Sequence, residues 1–273
     1  PPDRILFRVG DYVARGGRIG VQTRRGCAFR CVYCTYPFLD GRAIRARRPT
    51  DVVDEIEELV GEGANELFFC DSIFNFPTGH AEGVCAEILR RGLDIRFFAF
   101  FNESAASREQ LELARDAGCD LAIFGPDAGH PTTLETYRKG HTLARLEQAY
   151  RWCRELGLPY KCAFLMNGPG ETMTSFAHML AFVLRLRLAA GLRFSFSTMR
   201  IYPHTELHRL AVEQGLVDAD DDLLEARYFN PPPLGLPSAL VSAAGRALGG
   251  VLRLVRWARA QVPPWRAAGG SRG

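Results

Sequence analysis

Short apolar runs alternate with stretches of helical periodicity along this chain, and the alternation repeats six times. The apolar runs fall at 18–23, 66–71, 95–101, 120–124, 160–166 and 193–199. They read as strands of a parallel sheet covered on both faces. Between them, apolar positions recur at three-to-four spacing. Val52, Val53, Ile56, Leu59 and Val60 mark one helical face; Leu143, Leu146, Ala149, Tyr150, Cys153 and Leu156 mark another. Ser107 followed by Gln110 reads as a capping box that opens the helix before the fourth strand. Repeated strand–helix units predict a parallel sheet with right-handed crossovers. A closed eight-unit barrel takes about 250 residues, whereas six units are complete here near residue 210. The expected fold class is α/β: an open partial (β/α)6 TIM-like barrel with a C-terminal helical extension. A doubly wound sheet ranks second, because no G-x-G-x-x-G follows the first strand.

Beyond the sixth unit the pattern changes. Asp218–Asp222 is an acidic turn expected to cap a short helix. Residues 230–237, NPPPLGLP, form a rigid linker. Residues 238–262 read as a basic amphipathic helix, with Arg246, Arg253, Arg256 and Arg259 among leucines and valines. Packing on the barrel is its first reading, and peripheral membrane contact its second. The expected division is a lead-in over 1–17, the barrel over 18–212, an extension over 213–262 and a flexible tail over 263–273.

Composition narrows the function. The chain has 273 residues, 47% of them hydrophobic, enough for a sizeable core. A formal charge of +3 is too small to imply a nucleic-acid partner by itself, and none is expected. Only Lys139 and Lys161 are lysines; the rest of the positive charge is arginine. The first residues carry no signal-peptide pattern, and no uncharged run reaches the roughly 18 residues of a membrane span. Eight cysteines in such a chain point to a reducing, cytoplasmic setting, where clustered cysteines are metal ligands or catalytic more often than disulfides.

The loops after the strands carry the chain's unusual polar residues. They are Asp71 and Asn75, Asn102 and Glu103, Asp127, the stretch NGPGET at 167–172, and Arg200 with Tyr202. In a parallel α/β barrel these loops share one mouth, where active sites are built. Cys27, Cys31 and Cys34 follow the first strand with C-x3-C-x2-C spacing. Zinc sites favour paired knuckles or histidines, and no histidine is near these cysteines in sequence. Iron–sulfur clusters take cysteine thiolates, normally four. Three ligands would leave one iron open. The remaining cysteines, Cys70, Cys85, Cys119, Cys153 and Cys162, read as small buried hydrophobes. Cys162 is a weak catalytic candidate if it points into the barrel. His130 and His204 lie in rim loops, where surface or hydrogen-bonded histidine is the ordinary role.

The C-x3-C-x2-C spacing with Tyr33 before the last cysteine resembles the signature of radical SAM enzymes. The resemblance covers roughly residues 18–210. It implies that Cys27, Cys31 and Cys34 bind a 4Fe-4S cluster whose open iron is chelated by S-adenosylmethionine. In that family, reductive cleavage yields a 5′-deoxyadenosyl radical that takes a hydrogen atom from substrate. Tyr33 would pack near the adenine. NGPGET is similar to the family's glycine-rich stretch, so Gly168, Gly170 and Glu171 would line the nucleoside site. Asn102, Asp127 and Arg200 sit where the family holds the ribose and the methionine carboxylate.

Within that family, VQTRRGCAFRCVYCTYPFLDGRAIRARRP, FFCDSIFN and RIYPHTEL resemble the cobalamin-binding branch. Proteins of that branch usually carry an N-terminal cobalamin domain, whereas this chain starts about 17 residues before its first strand and shows no D-x-H-x-x-G pattern. The resemblance implies a small-molecule or lipid-like substrate, a flavodoxin- or ferredoxin-like electron donor, and cobalamin only through a missing or separate domain. Methylation or rearrangement could follow hydrogen abstraction. The alternatives are half of a cobalamin-dependent methyltransferase, an RNA-modifying enzyme of the same family, or a non-catalytic electron-transfer protein, which should supply a fourth cysteine.

Overall fold

The computed structural model describes residue 4, residues 8–190 and residues 193–232. The helix expected over 238–262 and the tail after it lie outside the described residues. The elements run α1 (Val9–Ala14), β1 (Ile19–Val21), β2 (Arg24–Arg25), α2 (Tyr36–Leu39), β3 (Arg45–Ala46), α3 (Pro49–Gly61), β4 (Glu66–Phe69), α4 (His80–Arg91) and β5 (Arg96–Phe101). There follow α5 (Arg108–Asp116), β6 (Cys119–Asp127), α6 (Pro131–Thr136), α7 (Leu143–Glu155), β7 (Tyr160–Met166), α8 (Met173–Ala190), β8 (Arg193–Thr198) and α9 (Glu206–Glu213).

Six strands form one parallel sheet in the order β1-β4-β5-β6-β7-β8. Spatial order equals chain order, so the winding never reverses. That excludes the doubly wound alternative, which needs a switch point. Among the described residues β8 does not pair with β1, and the barrel stays open. β2 and β3 form a separate antiparallel ribbon, a two-residue branch off the cysteine loop.

The sheet is not equally covered on its two faces, contrary to the expectation from its apolar strands. Phe97, Ala99 and Phe101 of β5 are buried against the helices with Leu67, Phe69, Phe124 and Phe164. Phe98 and Phe100 point to the opposite, inner face and stay partly open, Phe100 at 39% exposure. Phe68 stacks on Phe98 with ring centroids 4.4 Å apart. An open barrel leaves its inner face incompletely filled, while its outer face packs on α3, α4, α5 and α7.

Two local expectations are corrected. Ser107 does cap α5, accepting from Gln110 N at 3.1 Å, but Gln110 does not return the bond. Its side chain goes to Asn75 and Glu82 instead, so the capping box is half made. The acidic turn at Asp218–Asp222 opens no helix. Asp221 accepts from Leu223 N at 2.8 Å, and Asp222 from Leu224 N at 2.9 Å. Their carboxylates hold a loop.

Candidate active site

The cysteine loop is tied down before it reaches its first thiol. Asp71, 1% exposed after β4, accepts from Thr23 N at 2.8 Å, Thr23 Oγ1 at 2.5 Å and Arg24 N at 3.1 Å. Gly26 follows at φ +93, and a Cβ there would lie 2.1 Å from the Ala43 carbonyl oxygen. Only glycine fits that approach. Cys27 N donates to Gly41 O at 3.0 Å, and Cys34 N to Cys31 O at 3.2 Å. Val32 N donates to Tyr137 O, and Leu207 N donates to Val32 O. The loop is thereby anchored to the segments around α6 and α9 as well as to its own strand.

All three cysteines are free thiols, and they line one cavity of about 180 Å³ at the C-terminal strand ends. Ser72, Phe100, Asn102, Glu103, Asp127 and Lys139 are among the residues that complete its wall. Burial pushes the Cys34 thiol up to about 11 and raises Cys31 as well, against the pull of Lys139 on the latter. Thiolate ligation here would release protons. Among the described residues no three Cys, His, Asp or Glu side chains converge on a single ion position. A tetrahedral zinc ion requires such convergence. An iron–sulfur cluster binds its thiolates on separate irons. Three soft donors around a shared cavity therefore fit a cluster better than zinc.

Opposite the thiols stands a buried polar group. Tyr33 Oη donates to Asp127. Lys139 Nζ lies 2.5 Å from Asp127 Oδ2 and donates to Tyr33 Oη at 3.1 Å. Burial works to lower the Lys139 pKa, but Asp127, Tyr33 and Cys31 outweigh it, and the ammonium is held well above its ordinary range. Asp127 occupies the left-handed region at φ 60, an uncommon conformation that a short polar side chain tolerates. Beneath, Glu103 accepts from Tyr150 Oη at 3.2 Å, with His141 Nδ1 at 3.8 Å. Burial lifts Glu103 to about 7 and lowers His141 to about 4, so both favour their neutral forms.

The other expected site residues are distributed less evenly. Asn102 reaches the cavity, but its Oδ1 closes its own turn, accepting from Ser104 N and Ala105 N. Gly168, Gly170, Glu171 and Arg200 lie outside the cavity lining. Glu171 folds back on its loop and accepts from Asn167 N at 2.6 Å; burial lifts it to about 7. Arg200 pairs with Tyr228 in an isolated bridge, its guanidinium 4.9 Å from the Tyr202 ring centre. Asp71 and Asn75 are scaffold: Asn75 exchanges two hydrogen bonds with the Asn102 backbone, at 2.7 and 2.9 Å. Cys162 does not face the barrel interior. It is fully buried in the helix-side core and hydrogen-bonded to Tyr150, and burial holds its thiol well above the ordinary range. His130 stacks on His178 and His204 on Phe38. Lys139 lines the same cavity, and sequence reasoning misses it. Its rarity, one of two lysines in an arginine-rich chain, is the available signal.

Comparison with known proteins fits this geometry. The family model described as the radical SAM superfamily matches residues 21–183. The chain is 29% identical over 217 residues to the tryptophan 2-C-methyltransferase of Streptomyces laurentii, covering 74% of this chain and 36% of that protein. It is 28% identical over 218 residues to an uncharacterised methyltransferase of Pyrococcus horikoshii, covering 79% and 47%. A solved radical S-adenosylmethionine methyltransferase, TsrM from Kitasatospora setae, contains tryptophan substrate and a SAM analogue. It superposes with TM-score 0.67 at 28% identity, over 75% of this chain and 40% of that one. The same enzyme has been solved with cobalamin and a [4Fe-4S] cluster bound. Methyltransferases and methylthiotransferases both occur among the relatives. The chain belongs to the radical SAM superfamily, whose cofactors are a 4Fe-4S cluster and S-adenosylmethionine. It spans less than half the length of these relatives.

Proposed function

We propose that this chain is the catalytic barrel of a radical SAM enzyme acting on a small-molecule or lipid-like substrate, with methyl transfer as the favoured outcome. The observation that carries the reading is the convergence of Cys27, Cys31 and Cys34 on one cavity walled by Asp127 and Lys139. When bound, the cluster and S-adenosylmethionine would supply a carbon radical able to remove hydrogen from an unactivated position.

This chain's residues would do the rest. The three thiols would hold three irons and leave the fourth to the amino and carboxylate groups of S-adenosylmethionine. Lys139 would balance negative charge on the thiol side of the cavity, and Asp127 would offer a carboxylate to hydroxyl groups. Tyr33, bridging the two, would set their spacing. Phe100, on the inner face at the cavity, would exclude water from the reacting centre. Methyl transfer is favoured because two relatives, matched over 74% and 79% of this chain, are methyltransferases, and a solved methyltransferase 29% identical to it holds cobalamin, although a cyclase is also among the relatives. Cobalamin would then come from a separate domain or partner.

The test is anaerobic reconstitution with iron and sulfide, then reduction in the presence of S-adenosylmethionine. Release of 5′-deoxyadenosine, or of S-adenosylhomocysteine when cobalamin and substrate are added, is expected. Absence of both, with Cys27→Ala behaving as the parent, would overturn the reading.

A further inference from the structure

Arg24 is 2% exposed. A buried guanidinium ordinarily has a carboxylate partner, because desolvating an unpaired charge is expensive. Among the described residues no carboxylate lies within ion-pair distance of it. The guanidinium donates to two carbonyls instead, Gly26 O at 2.6 Å and Ile73 O, and Nε has no partner. Asp71 is nearby, but its oxygens are engaged by Thr23 N, Thr23 Oγ1 and Arg24 N. Gly26 immediately precedes Cys27, and Ile73 lines the cavity wall. Asp71 acts most strongly on the Arg24 charge, followed by the Cys27 thiol and Asp40. Arginine stays charged even where burial lowers its pKa, as it does here. The neighbouring Arg25 is exposed and donates to Gln22, so solvent screens its charge.

A buried cation held against the thiol loop, with no carboxylate at ion-pair distance of its guanidinium, is what a further anionic guest would compensate. We propose that Arg24 is a positioning residue with an electrostatic role: it fixes the approach to Cys27 and favours the reduced form of the cluster bound by Cys27, Cys31 and Cys34. The inference rests on the cluster reading above. The step is a one-electron reduction by an external low-potential donor, with no bond made or broken. The cluster gains one negative charge, and the fixed positive charge of Arg24 stabilises that form over the oxidised one.

The experiment is an EPR-monitored redox titration of the reconstituted parent, Arg24→Gln, Arg24→Lys and Arg25→Gln, with dithionite as donor and iron and sulfide determined for each. At the parent's midpoint, Arg24→Gln is expected to show about a tenfold lower ratio of reduced to oxidised cluster, equivalent to about 59 mV for one electron. Arg24→Lys and Arg25→Gln are expected to stay within about threefold of the parent, a margin of about half that shift. A parent that takes up iron and sulfide but shows the same midpoint as a fully loaded Arg24→Gln overturns the inference and leaves the cluster reading intact. A parent that takes up neither overturns the cluster reading itself. Should Arg24→Gln fail to hold a cluster, Arg24→Met, which also removes the charge, replaces it under the same criterion, and in either case a tenfold loss in Arg24→Lys despite the retained charge overturns the electrostatic role.

Discussion

Lys139 Nζ stands 2.5 Å from Asp127 Oδ2, and both side chains are less than a tenth exposed. The pair joins the end of β6 to the segment between α6 and α7, and Tyr33 brings in the cysteine loop. Losing one member of a buried pair leaves the other charged without a partner and costs about 3–5 kcal/mol. Lys139→Met is therefore expected to destabilise the protein by about that amount. Lys139→Met with Asp127→Asn should recover part of the loss, because no lone carboxylate remains. Urea denaturation of the parent, both single variants and the double variant measures the coupling. Strictly additive losses would show that the pair does not act as a unit.

Glu103 gives a pH signature. Its ordinary carboxyl pKa is 4.5, and burial lifts it to about 7 in the folded chain. The folded state thus holds this proton more tightly than the unfolded state. The associated stability is fully present below pH 4.5 and is lost as pH rises towards 7. Glu171, lifted to about 7 from the same ordinary value, acts in the same direction. His141 opposes both: lowered from 6.5 to about 4, it destabilises the fold as pH falls through that window. Comparing Glu103→Gln with the parent isolates one contribution. The variant should gain stability relative to the parent between about pH 5 and 8, by roughly 3 kcal/mol at the upper end. Equal pH profiles in denaturation would contradict a buried, proton-holding Glu103.

These groups differ in how far they could be read from the chain. The strand at 160–166 agrees end to end with β7, because its apolar run is bounded by Pro159 and Asn167. The cysteine loop is equally visible, since its three cysteines are close in sequence. β6 runs on to Asp127 rather than stopping at 124, because Gly125 and Pro126, which suggest a turn, continue the strand. The faces of β5 could not be separated, because RFFAFF is apolar on both and only barrel closure decides which side fills. Lys139 pairs across 106 residues with Tyr33, a contact that no local spacing encodes. Glu171 looks like a ligand in NGPGET, but backbone N–H groups of its own loop take its carboxylate.

Cysteine substitutions should divide into two classes. Cys27→Ala, Cys31→Ala and Cys34→Ala each remove a thiol from the cavity and are expected to abolish stable iron and sulfide uptake with little loss of fold. Cys162→Ala should do the opposite. Its thiol is fully buried beside Tyr150, so truncation leaves a small void and costs about 1 kcal/mol, while iron content stays at the parent level. Iron and sulfide analysis paired with thermal denaturation distinguishes the classes. Loss of iron in Cys162→Ala would place that thiol in the site after all.

Gly168 owes its place to packing rather than to backbone conformation. A Cβ at this position would lie 2.1 Å from the Tyr137 hydroxyl oxygen and 2.4 Å from the ring carbon that bears it. Tyr137 is fully buried among Leu134, Met199 and Leu207, so the ring has little room to retreat. The Tyr137 carbonyl also accepts from Val32 N between the cysteines, so a shift of this residue is passed to the thiol loop. Gly168→Ala is accordingly expected to cost about 1–3 kcal/mol through overpacking and to weaken cluster retention as well. Gly170→Ala meets only the Thr136 side chain, at 3.3 Å, and its cost comes from φ +72 instead. It should destabilise the loop while leaving iron uptake intact. Measuring iron retention under mild chelation in both variants tests the linkage, and equal retention in the two would break the proposed route from Tyr137 to the cysteines.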